Sequence, residues 1–227
     1  IDTGIMDEPE VAIFDSGTRQ WRYENEYPLK RAQWTKFYLR TSPVKALDSA
    51  AAEPAARRAE QPLLGLLSDA PPGNEAPDTY RLPESLAEVA AGKPVLAYAT
   101  APLNRVLRIW GPLSLTLYAS SNQIDTAWYA KVMDVKPDGT ATMVSKGNLR
   151  ASFRSLDGAR SGPGQPFHPF ETQELLEPNR IYEFQLELVP MFHTFGADHR
   201  LQLQIASEDL QYNNPMRQSD VQLLPWP

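Results

Sequence analysis

Three stretches of the chain alternate strictly between apolar and polar residues. Leu113, Leu115 and Leu117 share one phase against Ser114, Thr116 and Tyr118. Tyr182, Phe184, Leu186 and Leu188 oppose Glu183, Gln185 and Glu187, and Leu201, Leu203 and Ile205 oppose Gln202 and Gln204. A period of two sets one row of side chains against a core and the other in solvent, as in an antiparallel sheet with one buried face. Runs of similar character predict strands at 11–14, 20–23, 34–39, 106–110, 113–119, 126–135, 141–145, 148–154, 182–189 and 200–207. Pro137-Asp138-Gly139 supplies the turn that joins 126–135 to 141–145 as a hairpin. The prolines, 21 against 12 glycines, fall mostly between apolar runs, which punctuates strands and forbids long helices. Short strands with turn signals between them predict an all-β chain, a two-sheet antiparallel sandwich of the jelly-roll kind. Its core is expected to hold Leu115, Leu117, Phe184, Leu186, Leu188, Leu201, Leu203 and Ile205.

The segment from 42 to 104 breaks the pattern. It contains AAAEPAARRAEQ and APPGNEAPDTY and has few β-branched residues. Helix formers interrupted by Pro54 allow a turn or two of helix at most, so the segment reads as a long loop excursion over the sandwich. Its apolar groups, among them Leu63, Leu64, Leu66, Leu67, Tyr80, Leu82 and Leu86, imply that it is pinned to something.

A chain of 227 residues buries a full core, and sandwiches of this length commonly form one domain, here 11–227 after a linker at 1–10. A formal net charge of −6 argues against nucleic acid or an anionic membrane as partner. The absence of cysteine excludes disulfides, thiolate catalysis and thiolate-bound zinc without indicating a compartment. No apolar run approaches the roughly 20 residues of a membrane-spanning helix. The opening Ile1, with no basic segment and apolar stretch behind it, reads as the start of an excised fragment.

Candidate chemistry is sparse. Gly158-Ala159-Arg160-Ser161-Gly162 misplaces its serine by one position relative to a hydrolase nucleophile elbow and has no following helix, so it reads as a loop. Ser42-Pro43-Val44-Lys45 fits S-x-x-K without its companion motifs. Of the three histidines, His168, His193 and His199, none pairs at helical metal-ligand spacing. A set made of Ser207, His199 and Asp209 fails because the first two stand at opposite ends of one strand. No serine–histidine–acid set is expected within reach, and no catalytic residue, cofactor or metal is assigned. Asp134 and Asp138 keep a calcium reading open beside the simpler one of a hairpin turn. Trp21, Tyr23 and Tyr27, in RQWRYENEYP, are candidate binding residues: such aromatics stack on sugars, anchor a domain interface or fill a core.

Several motifs resemble one family. IDTAWYAKVMDVKPDG is similar to D-T-D-aromatic-x-A-K-hydrophobic-hydrophobic-D-V-x-P-D-G, with Ala127 in place of the second acid. GNLRASFR is similar to G-x-L-R-x-x-[FY]-R, and APPGNEAPDTY to a proline-acid loop that ends in D-T-Y. FGADHRLQLQIAS resembles F-x-x-G-H-R-hydrophobic, with Asp198 where a glycine usually stands. These features resemble the C-terminal domain of the X-prolyl dipeptidyl-peptidase and cocaine-esterase-like acyl hydrolases. The resemblance implies a galactose-binding-domain-like jelly roll attached to an α/β-hydrolase domain of the same polypeptide that carries the catalytic triad. It also implies a non-catalytic role, in which the domain packs on that partner, shapes its substrate pocket or builds a homo-oligomer. The alternative is a carbohydrate- or peptide-binding module. Within the resemblance Trp128 is a packing residue, and Val95, Leu96 and Tyr98 are candidates for the substrate-pocket wall. One of the segments 63–67 or 95–98 is expected to present an apolar surface to the missing domain.

Overall fold

The computed structural model describes residues 4, 9–41, 63–80, 96–207 and 221–224, with backbone alone for 63, 64 and 221–224. Strands dominate these residues: β1 (Val11–Asp15), β2 (Gln20–Glu24), β3 (Tyr38–Arg40), β4 (Leu63–Ser68), β5 (Asp78–Tyr80), β6 (Leu96–Ala99), β7 (Leu107–Ser121), β8 (Ala127–Val135), β9 (Ala141–Arg150), β10 (Tyr182–Phe195), β11 (Arg200–Ala206) and β12 (Val221–Leu224). A six-stranded sheet runs β3-β4-β6-β11-β8-β9, a four-stranded sheet runs β10-β7-β12-β5, and β1-β2 form a hairpin. The fold is an all-β sandwich of jelly-roll type, as the alternation predicts. All strand pairs are antiparallel except β4 with β6, which is parallel.

The alternating faces close on each other as their phase requires. Leu115, Leu117, Phe184, Leu186, Leu188, Leu201, Leu203 and Ile205 are all buried in one core with Trp128 at its centre. The Trp128 ring meets Phe184 at 5.4 Å in a tilted arrangement, a geometry that adds about 0.5–1.5 kcal/mol to the burial itself. Trp128 is therefore a packing residue.

The span read as a long loop carries β4, β5 and β6 in its described part. Leu67, Leu96 and Tyr98 belong to the domain's own core, which corrects the expectation of an exposed apolar surface at Leu67 or at 96–98. Their irregular spacing in sequence hides strands because each is short and its partner is distant. The Tyr98 hydroxyl, on the six-stranded sheet, donates to Asp78 Oδ2 on the four-stranded sheet at 2.8 Å. Burial, together with Asp78, pushes this phenol above its ordinary range. The Tyr80 hydroxyl bonds Ser207 Oγ across the same gap.

Strands 106–110 and 113–119 run together as β7, and strand 182–189 extends to Phe195 as β10. The sequence breaks at Gly111-Pro112 and at Val189-Pro190, but β7 and β10 continue through both. Leu188 pairs with Leu113 and Met191 with Gly111, so β10 holds one extra residue there. Such a bulge absorbs a proline that cannot donate to the ladder. It also changes which residues face inward. Phe184, Leu186 and Leu188 are inward before it, and Met191, His193 and Phe195 after it.

Candidate functional site

The bulge delivers His193 to the interior, where β8 presents Asp134. The inward phase of β8 is Trp128, Ala130, Val132 and Asp134, so one acid follows three apolar positions. His193 Nε2 donates to Asp134 Oδ2 at 3.0 Å, and His199 Nδ1, just before β11, donates to Asp134 Oδ1 at 2.7 Å. Asp134 and His193 are buried. With its Nε2 proton engaged, His193 turns Nδ1 toward Ser16 Oγ at 2.8 Å, and the same hydroxyl lies 3.2 Å from Phe192 O, to which it can also donate. These tautomers follow from the acceptor-only carboxylate. The His193 ring packs edge-on against Phe195 at 4.7 Å. The expectation that no serine–histidine–acid set lies within reach is thereby corrected: Ser16, His193 and Asp134 form one. Its members come from three elements, with 59 residues between Asp134 and His193 and 177 between Ser16 and His193, so local spacing carries no trace of it. The one readable signal is Asp134 on an otherwise apolar phase.

Ser16 sits in the turn between β1 and β2, and a second acid holds that turn in place. Asp15, fully buried, accepts from the Gly17 and Thr18 N–H groups at 2.9 and 3.2 Å. It also accepts from the Thr194 N–H at 3.1 Å and from the Thr194 hydroxyl. Burial opposes ionisation, but the hydrogen bonds from Thr194, Thr18 and Gly17 outweigh it and hold the carboxyl below its usual range. The Ser16 N–H donates to Phe192 O at 2.9 Å. Gly17 has no room for a side chain, because a Cβ would lie 2.1 Å from Thr194 O.

The hairpin's outer face is aromatic. Phe14 pairs with Trp21 and Ala12 with Tyr23, which places all four side chains on one side. Phe14, Trp21 and Tyr23 are 45%, 59% and 60% exposed. Tyr27, beyond β2 and 44% exposed, rests on Phe192 of β10 at 5.8 Å. The structure thus brings Trp21 and Tyr23 to one face of the hairpin, with Tyr27 placed against β10. Leu96 and Tyr98 are each 2% exposed in the core, so their side chains are committed inside this domain. Val95 lies outside the described residues.

The remaining sequence candidates among the described residues are structural, while Ser42, Lys45 and Asp209 lie outside the described residues. His168 faces Gln185 O at 2.7 Å and Ser155 O at 3.1 Å and clips its loop to β10. The Ser161 hydroxyl donates to Asp157 O and accepts from the Phe167 N–H, bonds that hold a loop together. Asp138 Oδ1 accepts from the Thr140 N–H at 2.9 Å in the β8–β9 turn, while both Asp134 oxygens serve histidines. Among the described residues no group of three or more histidines and acids is arranged to hold a metal. An open cleft of about 470 Å³ lies over β9 and β10, with Phe170, Lys146, Asn148 and Glu187 on its walls.

Residues 3–224 match the family model described as the X-Pro dipeptidyl-peptidase C-terminal non-catalytic domain. The cocaine esterase of Rhodococcus sp. (strain MB1 Bresler) is 25% identical over 222 residues, covering 88% of this chain and 34% of that protein. A CocE/NonD family hydrolase from Staphylococcus aureus superposes with a TM-score of 0.69 at 16% identity, covering 98% of this chain and 40% of that one. An aminopeptidase from the marine sediment archaeon Thaumarchaeota archaeon gives 0.69 at 20% identity, covering 95% and 38%. The chain spans about a third of the length of the curated relatives it matches, 34% in each case.

Proposed function

Because the chain belongs to the family of X-Pro dipeptidyl-peptidase C-terminal non-catalytic domains, we propose that it serves a serine-dependent acyl esterase or peptidase by packing on an α/β-hydrolase domain of the same polypeptide. The seat is the outer face of the β1–β2 hairpin, and from there the domain helps to shape the partner's substrate pocket. The observation that carries this reading is the cluster of Phe14, Trp21 and Tyr23, exposed together on one face of a hairpin that Asp15 ties to β10. Aromatic side chains with few rotatable bonds form interface anchors at low entropic cost. The greater length of the relatives supplies a partner of the required kind.

Hydrogen exchange tests the reading. The chain alone and the polypeptide extended by its hydrolase domain are compared over residues 11–27. Slower exchange in the longer protein is expected, and equal exchange in both would remove the hairpin from the interface. Slowing that depends on the concentration of the isolated chain would assign the face to a homo-oligomer instead.

A second reading is a carbohydrate-binding module, favoured by the cleft over β9 and β10 where exposed Phe170 stands near Lys146, Asn148 and Glu187. Calorimetric titration of the chain with oligosaccharides decides it. Saturable binding that is lost in Phe170→Ala would promote this role over the first.

A further inference from the structure

We infer that the partner surface receiving the hairpin is acidic, and that Arg19, Arg22 and Arg108 take its carboxylates around the aromatic face. This deepens the packing role proposed above and rests on it. The chain as a whole carries a net charge of −6, yet the acids on and beside the hairpin are mostly engaged within the domain. Asp15 is buried and bound by Thr194 and by the turn. Glu24 receives two bonds from Arg31, and Glu26 pairs with Lys30 at 2.6 Å. Glu10 is exposed, but it precedes β1 at the end of the hairpin away from the turn. The arginines differ. Arg19, Arg22 and Arg108 are exposed, and none of them pairs with a carboxylate among the described residues. Arg22 donates to Gln20 Oε1 at 3.1 Å. Arg108 stands opposite Thr194 in the β7–β10 ladder, and Thr194 is the residue that binds Asp15 and lies against Gly17. Arg108 therefore flanks the seat of the turn, one strand over.

Arg19 breaks a local rule. It holds a φ of 54° in the turn, a left-handed conformation that glycine or asparagine adopts at lower cost. Asn179 and Asp198 share that region and are of the types that tolerate it. An arginine at such a position, with no carboxylate of its own domain to hold, has its partner outside the domain. A guanidinium presents a planar fork that takes a carboxylate through two bonds. Arginine, tryptophan and tyrosine together are the residues that carry most of the energy of protein interfaces. Nucleic acid or an anionic membrane would also meet the negative field of the rest of the chain, whereas an acidic patch on a folded domain meets this end alone.

Hydrogen exchange over residues 11–24 tests the inference in the polypeptide extended by its hydrolase domain, with the chain alone as reference. The slowing conferred by the longer protein should shrink when salt is raised from about 50 mM to about 1 M, which shortens the screening length to about 3 Å. Arg108→Glu should cut the slowing about fivefold or more. Arg19→Gly removes the guanidinium and relieves the turn. It should cut the slowing likewise, while urea titration finds the isolated chain as stable as before. A loss of stability in the isolated Arg19→Gly chain would make Arg19 a structural residue and overturn its assignment. Arg180→Glu, at the opposite end of β10, should leave the slowing unchanged. If Arg108→Glu does not fold, Arg19→Gly and the salt dependence decide. Slowing that persists through high salt and through these variants overturns the acidic partner and leaves the packing role standing. Equal exchange in the two proteins removes both. Slowing in the isolated chain that grows with its concentration assigns the arginines to a second copy and overturns the inference as well.

Discussion

Asp15 shows how one residue can hold a surface in place. Its buried carboxylate gathers four donors, and a buried donor left unsatisfied costs about 1–3 kcal/mol. Asp15→Asn, which keeps the shape but turns an amide toward those donors, should destabilise the chain by about 2–3 kcal/mol in urea titrations at neutral pH. The folded-state carboxyl ionises more readily than an unfolded aspartate, so its stabilising contribution is present above about pH 4 and is lost as pH falls through the lower folded value. The gap between native chain and variant should accordingly narrow below about pH 4; a gap that stays constant would assign the effect to packing alone. Asp198 offers a milder case. Its φ of 65° is left-handed, a conformation glycine adopts freely and aspartate tolerates. The substitution noted in the sequence therefore preserves the turn. Asp198→Gly should leave thermal stability unchanged or raise it by up to about 1 kcal/mol, whereas Asp198→Val should lower it.

Among the elements, β10 does the most to shape the molecule. Up to Leu188 its alternation is legible from sequence alone, because each apolar residue marks the buried phase. Beyond Val189-Pro190 the phase changes, and no local rule says on which face the strand resumes. The partner strand β7 decides that by keeping its own register through Gly111-Pro112. Aromatic residues on two elements separate burial from exposure clearly. Phe184→Ala in β10 should cost about 3–5 kcal/mol, as core aromatic truncations do. Trp21→Ala in β2 should change the stability of the isolated chain by no more than about 0.5 kcal/mol. Chemical denaturation of both variants checks the pair, and a large loss for Trp21→Ala would place that ring in the domain's own core. Gly17→Ala in the turn should displace the hairpin from β10, because the new Cβ cannot share space with Thr194 O.

At the scale of the whole molecule, two sheets close over one core and leave an aromatic face on an appended hairpin. The isolated chain should turn over no p-nitrophenyl acetate above the buffer rate, as a domain of a non-catalytic family. Continuous turnover that scales with chain concentration and survives purification would contradict that role.

The chain's alternation, its turn residues and its family motifs were enough to establish an all-β sandwich, the apolar faces at the heart of its core and its kinship. These are properties of neighbouring residues: a period of two is visible within a single strand, and a motif within a dozen positions. The arrangement of β4 beside β6, the place of β12 between β7 and β5, and the meeting of Ser16, His193 and Asp134 were decided only by tertiary structure. Each joins segments far apart along the chain, and short strands carry too few alternating positions to announce their partners. The aromatic hairpin lies between these cases. Its residues stand out in the sequence as candidates, but only pairing in register places Phe14, Trp21 and Tyr23 on one face.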